Sequence, residues 1–447
     1  MANTYLTKNF GSAGTRTKYT ISVWVKRSKV GATQCIFSAG TGANNSMTIT
    51  FNGNDTLYWN SYSNNGSNYD YFLDTNRKFR DTSAWYHIVC AFDSTQSTSS
   101  NRMKIYINGV QETLFSTATY PGSYSDYAFN NILHEIGQDV GAGSRFFDGS
   151  MSHFYGIDGT AYAASTFGST DSTTGEWTIN TSPSVTMGTN GFTILKDGNT
   201  ITDQSSNSNN WSLGGGAIIK TQDCPDNVFC TMNPLDNFRA AGTFSNGNNT
   251  VVSRNAGYSY NTSTIGVNKG KFYWECKWSA TPTGSGAAVQ IGIAKRQTTS
   301  TTNFLGSNLF SYAYQGDSGA VRHNDSTVIG YSSYAIGDII GIALDMDNNR
   351  LYFSKNGAFQ NSSNPADGTN PISILAADST PLDTGFYFAG FGDGNDNLQQ
   401  TAQFNFGNGY FGTTAVSSAG TNASGNGIFE YAVPSGYTAL STKGLNL

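Results

Sequence analysis

From Tyr19 the chain reads YTISVWVKRS, and its Ile21, Val23 and Val25 alternate with Ser22, Trp24 and Lys26. A period of two marks a strand with two unlike faces. MTITF and LYWNSY flank the turn Asn52-Gly53-Asn54-Asp55, the signature of a hairpin. WYHIVCAFD (Trp85 to Asp93) and MKIYINGVQ (Met103 to Gln111) form the next pair, with Asn108-Gly109 as a turn. In the first of these, Trp85, His87 and Val89 are expected to face inward, opposite Tyr86, Ile88 and Cys90. HEIGQD and FDGSMSHFYGIDG follow. Strand signals return roughly every 8–15 residues with no helical stretch of note, which predicts an all-β sandwich or barrel.

Composition agrees. A chain of 447 residues suggests two or three domains. Charged residues are 12%, against ~25% in an ordinary soluble chain, while aromatics reach 13% and Gly 51. Disordered chains are charge-rich and aromatic-poor, so this is not one. A net charge of −5 argues against nucleic acid held on a basic surface. No apolar run of ~18 residues predicts membrane insertion. The first ten residues, MANTYLTKNF, lack the apolar core of a secretory signal. Cys35, Cys90, Cys224, Cys230 and Cys276 are too scattered for a disulfide framework, and read as free thiols of a reducing compartment. Cys224 and Cys230 leave open a bridge or half of a metal site.

The character changes at 188–237, an Asn/Ser/Gly-rich stretch ending in CPDNVFCTMNPLD. Phe192, Ile194, Leu195, Trp211, Phe229 and Met232 give it apolar groups to dock, so a structured connector is expected rather than a flexible linker. Strand signals then resume with KFYWECKW, where Phe272, Trp274 and Cys276 alternate with Tyr273, Glu275 and Lys277. VQIGIAKR, IIGIALDM, RLYFSKNGA, GFYFAGFG and AQFNFG continue the series.

Two resemblances rest on these segments. YTISVWVKRS, W-x-H-I-V-x-x-x-D, YINGV and FDGSMSHFYGIDG, in this order, resemble a laminin-G-type member of the concanavalin-A-like jelly rolls. The set G-D-x-I-G-x-x-L-D-x-D-x-x-x-L-x-F-x-K-N-G, preceded by G-K-F-Y-W-E and followed by F-N-F-G, resembles the SPRY domain, another β-sandwich. The expected organisation is a concanavalin-A-like domain over 1–187, a connector over 188–237, a SPRY domain over 238–411 and a C-terminal extension over 412–447. The whole arrangement, with its ending P-S-G-Y-x-A-L-S-T-x-x-L, resembles structural proteins of tailed bacteriophages, particularly marine ones. That resemblance implies a virion protein assembled in the host cytoplasm, a head decoration or fibre or a tail appendage. Its implied partners are other capsid or tail proteins, further copies of itself as a homo-oligomer (a trimer is usual for appendages), and host surface glycans.

Catalytic signatures are absent: no G-x-S-x-G, H-E-x-x-H, P-loop or C-x-x-C occurs. The expectation is therefore no enzyme and no cofactor. One segment carries two carboxyls at strand spacing. Glu135, Gly137 and Asp139 alternate on one strand face, but a retaining glycosidase needs carboxyls ~5–5.5 Å apart, and four strand residues span ~13 Å. A polysaccharide depolymerase is thus the least favoured reading. His87 reads as a packed framework residue.

Binding features are richer. Tyr58, Trp59, Tyr62, Tyr69 and Tyr71 lie among Asn and Ser, a mixture suited to sugar faces and hydroxyls and also to protein interfaces. Tyr312, Tyr314, Arg322 and His323 sit where a SPRY domain presents partner-binding loops. Asp345-Met346-Asp347-Asn348-Asn349 reads as a hairpin turn. Asp393 and Asp396 offer hard oxygens for Ca²⁺, although Asx turns use the same letters. The functional expectation is a non-enzymatic virion structural protein binding neighbouring subunits and host glycans, with a receptor-binding tail-fibre adhesin as the alternative.

Overall fold

The computed structural model describes residues 3–63, 68–196, 201–236, 242–254, 257–283, 289–296, 300, 302–379, 384–394 and 398–446. The chain divides into two compact units, Met1–Lys220 and Thr221–Leu447. Among the described residues regular structure is strand, apart from four 3-10 turns of three residues each. The fold is all-β.

In the first unit two sheets stack. One runs, in spatial order, β10 (Phe115–Thr119), β6 (Asn68–Thr75), β5 (Leu57–Ser63), β4 (Asn45–Phe51), β3 (Gln34–Gly42), β11 (Leu133–Ile136), β1 (Tyr5–Asn9) and β16 (Ser212–Gly215). The other runs β15 (Phe192–Ile194), β12 (Gly149–Asp158), β2 (Lys18–Arg27), β7 (Tyr86–Asp93), β8 (Met103–Ile107) and β9 (Val110–Gln111). β13 (Gly168–Thr170) and β14 (Trp177–Ile179) pair separately. Ile21, Val23 and Val25 of β2 enter the core that also holds Phe37, Ile49, Trp59 and Leu73. Each such side chain contributes about 1.5–3 kcal/mol by leaving water. The β4–β5 hairpin forms as expected, with Ile49 opposite Trp59 and Asp55 at φ 70 in its turn.

β7 departs from the expected facing. Ile88 and Cys90 join the core between the sheets, while Val89 packs on the other side with Tyr155, Ile157, Ala164 and Phe167. The segment after β12 covers this outer side. Both faces of β7 are therefore buried, and a strand apolar on both faces does not announce which one meets the partner sheet.

In the second unit one sheet runs β17 (Thr243–Ser245), β18 (Thr250–Val252), β30 (Gln399–Asn405), β20 (Lys271–Thr283), β25 (Ile339–Asp345), β26 (Arg350–Lys355) and β27 (Ala358–Phe359). β28 (Ile372–Ser373) joins β26, and β33 (Thr438–Ala439) joins β20 in parallel. The second sheet runs β19 (Ser259–Val267), β29 (Tyr387–Asp393), β21 (Val289–Ala294), β22 (Ser311–Gln315), β23 (Ala320–His323) and β24 (Ser326–Gly330). β31 (Tyr410–Phe411) and β32 (Thr414–Ala415) make a small hairpin. Trp274, Cys276, Ile291, Phe353 and Phe404 lie in its core.

The connector is structured, and its residues divide between the units. Phe192, Ile194 and Trp211 complete the first core. Met232 enters the second, and Phe229 packs with Tyr273, Tyr352, Phe429 and Tyr437. The C-terminal residues are likewise a layer of the second unit, not an appendage. Glu275, fully buried, holds them: its carboxylate accepts the backbone N–H of Glu430 and of Tyr431, each at 2.9 Å, with Tyr273 Oη and Asn405 Nδ2 each at 3.2 Å.

Candidate binding face

Register across six strands of the first unit defines two rows of side chains on the face turned away from the core. One passes from Thr7 through Glu135, Ser38, Thr48 and Asn60 to Phe72. The other passes from Asn9 through Leu133, Gly40, Ser46 and Tyr62 to Tyr69. Small polar groups fill the middle, and rings crowd the β5–β6 end.

A bulge builds that aromatic end. Ser61 pairs with Tyr71, yet Tyr62 pairs with Tyr69, so Asp70 is the extra residue of β6. The Asp70 carboxylate accepts Ser63 Oγ at 2.6 Å and Tyr124 Oη at 2.9 Å, which fixes the bulge. Tyr69, 41% exposed, thereby comes to lie on Phe72, with ring centroids 4.5 Å apart and planes at 7°. The Tyr62 ring also lies 4.2 Å from Tyr69, tilted 36° to it. Tyr58 sits deeper, with its ring 5.8 Å from Phe72, and burial pushes its hydroxyl up to about 12.

The remaining two aromatics of this segment point the other way. Trp59 and Tyr71 are fully buried in the core, where Tyr71 Oη donates to Asp126 at 2.6 Å. They alternate with Tyr58 and Phe72 along their strands and so are closed to a ligand. Phe72, not singled out from the sequence, is half-buried on the outer face beside them. Only the bulge brings it beside Tyr69, and alternation carries no mark of a bulge.

A loop crosses the middle of the face. β11 stops at Ile136 because Gly137 takes φ 84. Val140 N then donates to Ser38 Oγ at 2.9 Å, and a Cβ on Gly141 would lie 3.0 Å from Ala43 Cα. Asp139 pairs with Arg145 at 2.8 Å and accepts the Gly141 N–H at 2.9 Å. Glu135 is 6% exposed; burial first, and the Asp139 charge second, push its carboxyl up to about 7. The strand-spaced carboxyl pair is therefore not formed, since the strand ends between the two residues and Asp139 is committed to Arg145. Beyond the loop, a shallow groove of about 350 Å³ runs past Asn9, Gly40, Leu133 and Val140, near the lower end of the volumes small ligands occupy.

On the opposite sheet His87 is a framework residue. Trp24 stacks on it with ring centroids 4.8 Å apart, and Trp177 lies beside it with centroids 6.0 Å apart and planes at 16°. Trp177 Nε1 donates to Nδ1, so Nε2 carries the proton and donates to Ser22 Oγ at 2.9 Å. A histidine that donates to a serine cannot take that serine's proton.

The four SPRY-segment residues do not form one exposed site, although His323 meets Tyr312. Tyr312 and Tyr314 lie in the core, where Tyr312 accepts Leu375 N at 3.0 Å and Tyr314 donates to the Ser332 carbonyl. His323 stacks on Tyr312 at 4.0 Å and its Nδ1 donates to the Ser311 carbonyl at 3.1 Å. Arg322 pairs with Asp325 at 2.7 Å, and its guanidinium sits 5.5 Å from the Phe304 ring. Asp345 accepts from Asn348 as a hairpin turn, with Asn349 at φ 53. Asp393 is 1% exposed and accepts Ser253 Oγ at 3.3 Å; Asp396 lies outside the described residues. All five cysteines are free thiols, and no cluster of three or more metal-ligating side chains occurs among the described residues.

Comparison with known proteins agrees with both sandwiches. Residues 2–164 match the family model of the concanavalin A-like lectin/glucanases superfamily, and residues 271–366 match that of the SPRY domain. The chain is thus a two-domain β-sandwich protein. It carries a laminin-G-type, concanavalin A-like domain followed by a SPRY domain. The SPRY domain of human HERC1 is similar at 19% identity and TM-score 0.30, over 39% of this chain and 96% of that one. A human SPRY domain is similar at 15% identity and TM-score 0.25, over 35% of this chain and 91% of that one. A heptameric SAP-like pentraxin from Limulus polyphemus is similar at 17% identity and TM-score 0.27, over 36% of this chain and 71% of that one. No curated protein sequence matches.

Proposed function

We propose that this chain is a non-enzymatic binding protein whose aromatic terrace, Tyr62, Tyr69 and Phe72, receives the apolar face of a surface glycan. One observation carries the reading. A ring 41% exposed is held flat on a second ring, at the end of a sheet face whose middle is small, buried polar groups such as Ser46, Thr48 and Asn60. Stacked rings offer contact area at low entropy cost, and a tyrosine pairs an apolar face with a hydroxyl that can answer a sugar's. Near-neutral surroundings keep such contacts insensitive to salt.

The placement of this activity in a tailed-phage virion rests on the sequence resemblance, and the low charge suits a particle surface that touches other subunits. Glycan-array binding by the full chain, lost in Tyr69→Ala, tests the terrace. Silence of the intact protein on arrays of host polysaccharides counts against it. Immunogold labelling of particles tests the virion placement and separates head from tail. Release of oligosaccharide by the wild-type protein would instead favour the depolymerase.

A further inference from the structure

The terrace ends at an open edge. β10 pairs with β6 on one side and has no neighbour on the other among the described residues. Four of its five residues are exposed. An open edge presents unpaired N–H and C=O groups, and monomeric proteins guard such edges with charge, proline, shortness or a bulge. Here charge and proline are missing, and the one irregularity is a bulge at Ser116, where the register against β6 shifts. From Thr113 to Ser125 the sequence TLFSTATYPGSYS contains no charged residue, and its proline follows the strand. Leu114, just before β10, is 70% exposed. Uncharged, β-prone segments of this length are the ones that pair with another chain.

We infer that β10 pairs antiparallel with β10 of a second copy of this chain, joining two eight-stranded sheets edge to edge. An antiparallel pair of identical strands is two-fold symmetric; about Thr117, Ser116 faces Ala118 and Phe115 faces Thr119, and no like charges face each other. A register centred on Thr117 sets Leu114 against the partner's Tyr120 and covers the exposed leucine. The β24 edge of the other unit is guarded differently: Asp325, 67% exposed and paired with Arg322, stands immediately before its first residue.

The consequence reaches the proposed glycan face, and this part rests on that reading. Thr119 lies opposite Phe72, on the terrace side of the sheet. Pairing β10 with its copy puts the two β6 strands three inter-strand steps apart, about 14 Å. Two terraces then share one continuous face and bind a multivalent surface as a pair, with the avidity that follows.

Sedimentation velocity of the full chain over about 1–100 μM tests the pairing. The wild type is expected to reach twice the chain mass. Thr117→Lys, at an exposed position that leaves the fold intact by circular dichroism, is expected to weaken the dimer at least tenfold. Val328→Lys on β24 is expected to leave it unchanged. A monomer throughout, a trimer, or a dimer indifferent to Thr117→Lys overturns the inference. Retention on a glycan-coated surface should fall in Thr117→Lys while affinity for a soluble monovalent glycan does not. A wild-type dimer that binds no glycan refutes the proposed function and leaves the edge pairing standing.

Discussion

The indole N–H of Trp177 donates to Nδ1 of His87 at 3.0 Å, and that bond fixes both the tautomer and the place of the ring. Burial holds the imidazole down at about 3, against 6.5 in an open chain. The unfolded chain therefore takes up a proton that the folded one refuses. The stability this residue contributes is present above about pH 6.5 and is lost progressively as pH falls toward 3. The His87 ring resonances should stay constant between pH 5 and 8 by NMR; a midpoint near neutrality would disprove the arrangement.

The two faces of β5 and β6 predict opposite phenotypes for neighbouring aromatics. Trp59→Ala empties a fully buried site and should cost about 3–5 kcal/mol in urea melts. Tyr69→Ala should leave stability within ~0.5 kcal/mol and lower glycan affinity about tenfold, the equivalent of ~1.4 kcal/mol. Equal destabilisation by both variants would show that the facing is wrong.

Glu275 gives a pH signature of the opposite sign to His87. Burial pushes its carboxyl up to about 7 from 4.5, while the four donors around it pull it back. A raised carboxyl contributes stability fully present below about 4.5 and lost as pH rises through 7. Glu275→Gln cannot titrate and leaves two donors facing an amide N–H₂. Its deficit against wild type should be largest below about pH 4.5 and shrink by about 3 kcal/mol toward pH 8. Hydrogen exchange should speed up first at residues 428–433. A deficit independent of pH argues against the raised carboxyl.

Gly109 takes φ 82 in the turn after Asn108, and a Cβ there would stand 2.4 Å from the Trp177 ring. Gly109→Ala should cost about 1–3 kcal/mol from backbone strain, with the displaced indole adding to it. Loss of the Trp177–His87 bond should appear in the same variant as a shifted His87 ring resonance. A neutral variant would mean that Trp177 is not packed over this turn.

Arg27 is fully buried and its Nη1 donates to Asp55 at 3.1 Å and to the Phe79 carbonyl at 2.6 Å. Asp55→Asn removes the countercharge and should cost about 3–5 kcal/mol by calorimetry, because an isolated buried guanidinium remains. A cost below ~1 kcal/mol would place water beside Arg27.

Period-two alternation and Asn-Gly turns by themselves determined that the chain is built of strands, and the hairpins Ile49–Trp59 and Asp345–Arg350 form where the letters place them. The two families were legible for the same reason, since their motifs are strand-and-turn patterns. What only the tertiary structure decided is which face of a strand meets the partner sheet. On β7 both faces are apolar because a second layer covers the outside, so the letters carry no asymmetry to read. On β6 the extra residue Asp70 shifts the side-chain phase by one, which places Tyr69 with Phe72 and leaves Tyr71 in the core. Facing depends on what packs against a strand from far along the chain, and local spacing holds no record of that.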